Sequence, residues 1–212
     1  MPVSSILPSS RRVRLLLAGL AAVVALVLAY AAGVVSAGLY APGEDSPEAG
    51  FARDMSLHHA QAVEMGMLAY QRATNAEVRH EGYDIALTQQ GQIGTMKAWL
   101  DKWHVSRSGD QAPMAWMPGG DKELTPDGRM PGMASDAELT KLNTVTGKDF
   151  DILFCQLMIR HHLGGIHMAD AILKLSHNPD VTSLAESIKS GQQTEITIFT
   201  NLLTSMGAKP LQ

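Results

Sequence analysis

The chain has 212 residues, a formal net charge of −4, 12 Met, one Cys and only 5% aromatic residues. That length suits one domain, or two small ones. The absence of a basic excess argues against nucleic acid as a partner. Recurrent Ala, Leu and Met with few aromatics favour helices over a β-sandwich.

Arg11, Arg12 and Arg14 precede a stretch from Leu15 to Gly43 that contains no charged residue. A bilayer core needs roughly 20 apolar residues in a helix, and this stretch supplies them. Residues 1–14 therefore read as a basic cytoplasmic N-terminus and 15–43 as a single-pass membrane anchor. Glu44, Asp45 and Glu48 follow it, which places the rest of the chain outside. Val35-Ser36-Ala37 resembles a signal-peptidase site, so a cleaved signal peptide and a secreted product are the alternative. The run exceeds the ~7–15 residues of a signal core, which favours the anchor. Ser10-Arg11-Arg12 is a faint twin-arginine cue, weakened by Arg14. Both readings export residues 44–212. Cys155, the only cysteine, leaves the exported part without an internal disulfide.

Sliding the exported part by 103 residues, without gaps, aligns it with itself. Phe51 meets Phe154, Met55 meets Met158, His58-His59 meets His161-His162, and Met65 meets Met168. Asn75 then meets Asn178, Val78 meets Val181, Ile85 meets Ile188, Gln89-Gln90 meets Gln192-Gln193, Ile93 meets Ile196 and Leu100 meets Leu203. A constant frame over about fifty residues marks a tandem duplication.

Each copy reads as a helix hairpin. In the first (48–105), one helix spans roughly Glu48–Arg72 and a second runs to about His104, with Asn75 as cap or Thr74 with Glu77 as a capping box. A Gly- and Pro-rich linker (106–134) follows, and Ser135 with Glu138 forms a capping box before a short helix. In the second hairpin (147–207), Lys148–Leu175 precedes a helix opened by Asn178-Pro179-Asp180 and closed by Gly207. One hairpin cannot bury its own apolar stripe. The expected fold is all-α: a four-helix bundle over 48–210, with approximate twofold symmetry and an N-terminal transmembrane helix.

At 100° per residue, Phe51, Met55, His59, Ala62 and Gly66 share a stripe, with His58 and Met65 on its flank and Glu64 pointing away. The second copy repeats this with Phe154, Met158, His162, Gly165 and Ala169, flanked by His161 and Met168, while His167 takes the outward place. Imidazole with thioether favours copper, especially Cu(I), over hard cations. The candidate metal ligands are therefore His58, His59, His161 and His162, with Met55, Met65, Met158 and Met168 as soft partners. Gln89, Gln90, Gln92, Gln192, Gln193 and Glu195 on the second helices could orient the imidazoles. Gln92 aligns with Glu195, so this outer ring is not symmetric. The competing reading is a plain Met core with a buried His hydrogen-bond layer.

The pattern F-x3-M-x2-HH-x5-M, followed by QQ-x2-I and then WL or LL, resembles the domain of unknown function 305 family. The first copy carries it over Phe51–Leu100, and the second more fully, from Met130-Pro131-Gly132-Met133 through the second HH. The resemblance implies a ferritin-like helical bundle, exported or membrane-anchored, with some members linked to copper binding and tolerance. The commoner family pattern has further Met around the second HH, where this chain has Cys155, Gln156 and Gly164-Gly165.

Other features read as structural. Met114, Met117, Met130 and Met133, with Trp116, clasp the linker onto the bundle in preference to capturing Cu(I). Cys155 reads as a small buried hydrophobe. Glu77-x2-His80 imitates half of a di-iron motif that its counterpart, Asp180 to Ser183, lacks. No G-x-S-x-G, P-loop or H-E-x2-H occurs. The reading is a membrane-anchored copper-binding protein without catalytic residues. A metal-free structural or interaction bundle and a ferritin-like oxidoreductase are the alternatives. Homo-oligomerisation stays open.

Overall fold

The computed structural model describes residues 10–39 and 41–211. Residues 1–9 of the basic N-terminus lie outside that range, and so do the side chains of Arg12, Ser36 and Ala37. The chain divides into two compact units, 1–41 and 42–212. In the first, α1 (Arg11–Leu39) contains an apolar span, Val13–Val35, long enough to cross a membrane. The Leu and Val side chains of that span are exposed.

The second unit is helical throughout its regular elements: α2 (Pro47–Arg72), α3 (Ala76–Lys102), a 3₁₀ turn (Gly120–Lys122), α4 (Asp136–Thr144), α5 (Gly147–Leu175) and α6 (Pro179–Ser205). Each hairpin, α2–α3 and α5–α6, packs along its length. The hairpins join mainly through α2 against α5, while α3 and α6 meet only lightly. The result is a four-helix bundle whose central pair carries the two HH motifs.

Sequence caps fix most of these ends. Asn75 Oδ1 accepts from the N–H groups of Glu77 (2.8 Å) and Val78 (3.3 Å), so Asn75 and not Thr74 starts α3. Asn178 Oδ1 accepts from Asp180 N–H at 3.0 Å, and Ser135 with Glu138 forms the reciprocal box. α2 begins one residue earlier than its apolar pattern suggests, because Ser46 caps it and Pro47 fits the first helical position. α3 ends at Lys102, with His104 in the left-handed conformation beyond it.

A second device, hidden from local patterns, ties the copies together. Asp151, in the first turns of α5, accepts from Thr74 N–H (3.0 Å), Thr74 Oγ1–H (2.5 Å) and Asn75 N–H (2.9 Å) in the loop between α2 and α3. Its repeat counterpart Glu48, at the start of α2, accepts from Ser176 Oγ–H at 2.7 Å in the loop between α5 and α6. Each copy's leading acid thus clamps the other copy's hairpin loop, as a twofold arrangement requires.

The core has two apolar clusters. One holds Met55, Met96, Met168 and Ile172 together with the linker residues Met114, Trp116, Met117 and Met130. The other holds Met65, Met158, Phe154, Phe199 and Cys155. Trp116 packs edge-on against Phe51, and Asp54 Oδ2 accepts from Trp116 Nε1–H (2.9 Å) and Met114 N–H (2.6 Å). Three of the four linker Met are buried, so these residues clasp the linker to the bundle. Cys155 lies in the second cluster, where burial pushes its thiol up to about 12.

Candidate metal centre

His58, His59, His161 and His162 are all completely buried. They form a polar layer between the two apolar clusters. Met55 and Met168 lie in one cluster, and Met65 and Met158 in the other, so each cluster takes one motif Met from each copy. Glu64 and His167 face outward as the wheel requires.

The four imidazoles divide into an inner and an outer pair. His58 and His161 meet across the α2–α5 interface, with ring centroids 3.8 Å apart. His59 and His162 turn toward the second helix of their own hairpins. His59 Nε2 lies 2.7 Å from Gln92 Oε1 on α3. His162 Nε2 lies 2.5 Å from Glu195 Oε2 on α6, a close contact without hydrogen-bond alignment. Gln92 and Glu195 are thus the outer groups that reach the layer. Gln89 and Gln192 are buried beside them with unpartnered carboxamide atoms, whereas Gln90 and Gln193 are exposed.

Backbone carbonyls set the tautomers of the inner pair. His58 Nε2–H donates to Pro131 O at 3.1 Å, and His161 Nε2–H donates to His58 O at 3.1 Å. A carbonyl can only accept, so Nε2 carries a proton in each ring, and burial, which disfavours the charged form, keeps the rings neutral. Each Nδ1 then keeps a free lone pair. All four Nδ1 atoms in the layer are buried and unpartnered. An unmet buried polar atom costs about 1–3 kcal/mol, so the layer carries a substantial unmet demand for partners.

Burial also suppresses protonation. Desolvation lowers His58 from 6.5 to about 4, opposed by its bond to Pro131, with His162 lowering it further. Desolvation lowers His59 to about 3, helped by His58 and opposed by Gln92. His161 falls well below its ordinary value, first through desolvation and then through the other three imidazoles. Neutral imidazole is the form that binds metal.

The linker closes one side of the layer. Gly132, in the left-handed conformation, lies against the backbone of Arg160 and His161, and Pro131 O occupies the space a side chain on Gly164 would fill. Gly165 leaves room for the Gln192 carboxamide in the same way. The Gly164-Gly165 pair therefore serves packing against the layer: one glycine admits the linker and the other admits α6.

Neutral imidazole and thioether are the donor types a soft ion takes. In number the fit is narrower. Among the described residues, no three His, Cys, Asp or Glu side chains surround a common point. An ion held in this arrangement would draw on at most two such groups. His80 pairs with Asp84 at 3.2 Å on the surface, and His177 is exposed. Neither belongs to the layer.

The model of the domain of unknown function family DUF305 matches residues 48–203. The chain belongs to the DUF305 family. A DUF305 protein of Streptomyces coelicolor, inferred to be secreted, is 41% identical, with a TM-score of 0.73, over 80% of this chain and 99% of its own. A DUF305 fragment from Deinococcus radiodurans is 31% identical, with a TM-score of 0.62, over 76% of this chain and 95% of its own. CopM in its Cu(II)-bound form is 26% identical, with a TM-score of 0.59, over 74% of this chain and 96% of its own. No curated protein matches the chain in sequence. These DUF305 relatives share the helical fold.

Proposed function

We infer that this DUF305 protein binds copper as cargo, as Cu(I), in the His layer of a membrane-tethered extracytoplasmic bundle, and so sequesters it or passes it on. The observation that carries this reading is the inner pair: two buried imidazoles, each fixed by a carbonyl on Nε2, with Nδ1 atoms that no protein group pairs. A ligating His ordinarily donates its other N–H to such an acceptor, which fixes the ring and raises its basicity. A soft ion that accepts few ligands suits a site of two imidazoles and nearby thioethers better than tetrahedral Zn2+ does. The likeness to CopM, which binds Cu(II), supports a metal role.

A metal-free His layer is the weaker reading, since no protein group pairs any of the four Nδ1 atoms. A di-iron-type oxidoreductase is weaker still, because Glu195 is the carboxylate that reaches the layer. The basic residues in the first turns of α1 and the acids after it support the outside placement of residues 44–212. Protease added to intact cells should then reach that unit while α1 stays with the membrane.

The test is competition for Cu(I) between detergent-solubilised full-length protein and a coloured chelator. His58→Ala with His161→Ala should weaken binding by about 2–4 kcal/mol, some 30- to 1000-fold. Wild-type affinity in that variant would exclude the inner pair as ligands. Cu(I) should also raise the melting temperature of the wild type, by an amount that grows with the logarithm of its concentration over Kd.

A further inference from the structure

Resting on the copper reading, we propose that the groove between α3 and α6 is a transit site through which a soft monovalent cation enters and leaves the His layer. Along the bundle axis, both approaches to the layer are filled by the apolar clusters. Laterally, the Pro131-Gly132 segment is wedged into the notch at Gly164 and covers His58. The α3–α6 side differs from all of these. These helices meet only lightly, and a cavity of about 110 Å³ lies between them, lined by Gln89, Gln92, Ser187, Gly191, Gln192 and Glu195.

The lining suits a cation in passage. Gln89 and Gln192 are each only 3% exposed, and Gln89 Oε1 and both polar atoms of the Gln192 carboxamide lack partners. Carboxamide oxygens hold a soft ion only weakly, so they can stand in for water on an ion in passage without retaining it. Glu195 supplies the negative charge, and its side chain is 20% exposed, so it faces both solvent and His162. From there the groups run inward: Glu195 Oε2 is 2.5 Å from His162 Nε2, the His162 ring is 6.2 Å from His161, and His161 is 3.8 Å from His58. The related arm, Gln92 to His59, is uncharged. Its counterpart relation to Glu195 shows that the duplication has been altered at the position where charge would draw a cation in.

Gly191 allows a steric test without touching the layer. It is exposed on α6, in helical conformation, with open space around an added side chain. Gly191→Leu should overhang the groove and leave the fold intact. With full-length protein in detergent, Cu(I) uptake from a chelator and its removal by a stronger one would be followed by stopped flow. Gly191→Leu is expected to slow both by about tenfold or more while the equilibrium Kd stays unchanged. Ser187→Leu, at a second exposed lining position, should do the same. Gly94→Leu, on α3 but outside the groove, should keep wild-type rates. Wild-type rates in both groove variants would overturn the transit site. So would a raised Kd with unchanged uptake, since the groove would then be part of the holding site. A wild-type protein that takes up no Cu(I) would instead defeat the copper reading beneath it.

Discussion

Among single residues, the two members of each HH pair have different surroundings. His58 and His161 face one another, while His59 and His162 face Gln92 and Glu195. Adjacent helical residues diverge by about 100°, so one HH pair cannot aim both rings at one point. All four are nonetheless buried, because α2 and α5 are each covered by helices on more than one side. Their depressed proton affinities have a consequence for the metal-free protein. A His whose folded value lies below its unfolded 6.5 contributes stability that is fully present above pH 6.5 and is lost as pH falls through the folded value. Thermal melts of the apo protein should therefore fall progressively from about pH 6.5 toward pH 4, the lowered value of His58. A melting temperature flat across that window would mean that the imidazoles are solvated or already charged. Copper release should likewise need more acid than the ordinary imidazole value of about 6.5 suggests.

Among the elements, helices were legible in the sequence because periodicity, caps and breakers agree. Asn178-Pro179-Asp180 and Ser135 with Glu138 are local signals, and the structure uses them. Asn75 was legible as the cap of α3, but what takes Thr74 out of the competition was not: Asp151, far along the chain, accepts from its hydroxyl. The same holds for Glu48 and Asp151 as loop clamps: the repeat frame aligns them, but only the packing of one copy against the other gives them partners. Gln92 and Glu195 could be shortlisted from their alignment with one another, whereas their contacts with His59 and His162 required the hairpins to close. Pro131 O on His58 had no sequence signal at all, since any backbone carbonyl can accept. Asp151 is 2% exposed and accepts three hydrogen bonds. Its replacement by Ala should cost about 2–4 kcal/mol, read from the denaturant midpoint. A loss under about 0.5 kcal/mol would mean that the α2–α3 loop holds itself.

At the scale of the whole molecule, duplication creates the layer. One copy supplies a single HH pair and an open apolar stripe. Two copies in antiparallel contact bring one imidazole from each to the α2–α5 interface and place motif Met on both sides of it. Symmetry is broken at Gln92 against Glu195, and by the linker, whose Pro131 carbonyl accepts from His58 while His161 donates to the His58 carbonyl. If the inner pair holds copper, the Nδ1 atoms of His58 and His161 receive the ion while Nε2 stays protonated. Long-range proton–nitrogen NMR correlations of histidine-labelled protein test it directly, because Cu(I) is diamagnetic. Adding one equivalent of Cu(I) should shift the Nδ1 resonances of His58 and His161 away from the free-lone-pair position and leave their Nε2–H resonances in place. Unshifted Nδ1 signals, or loss of the Nε2–H signals, would contradict the account.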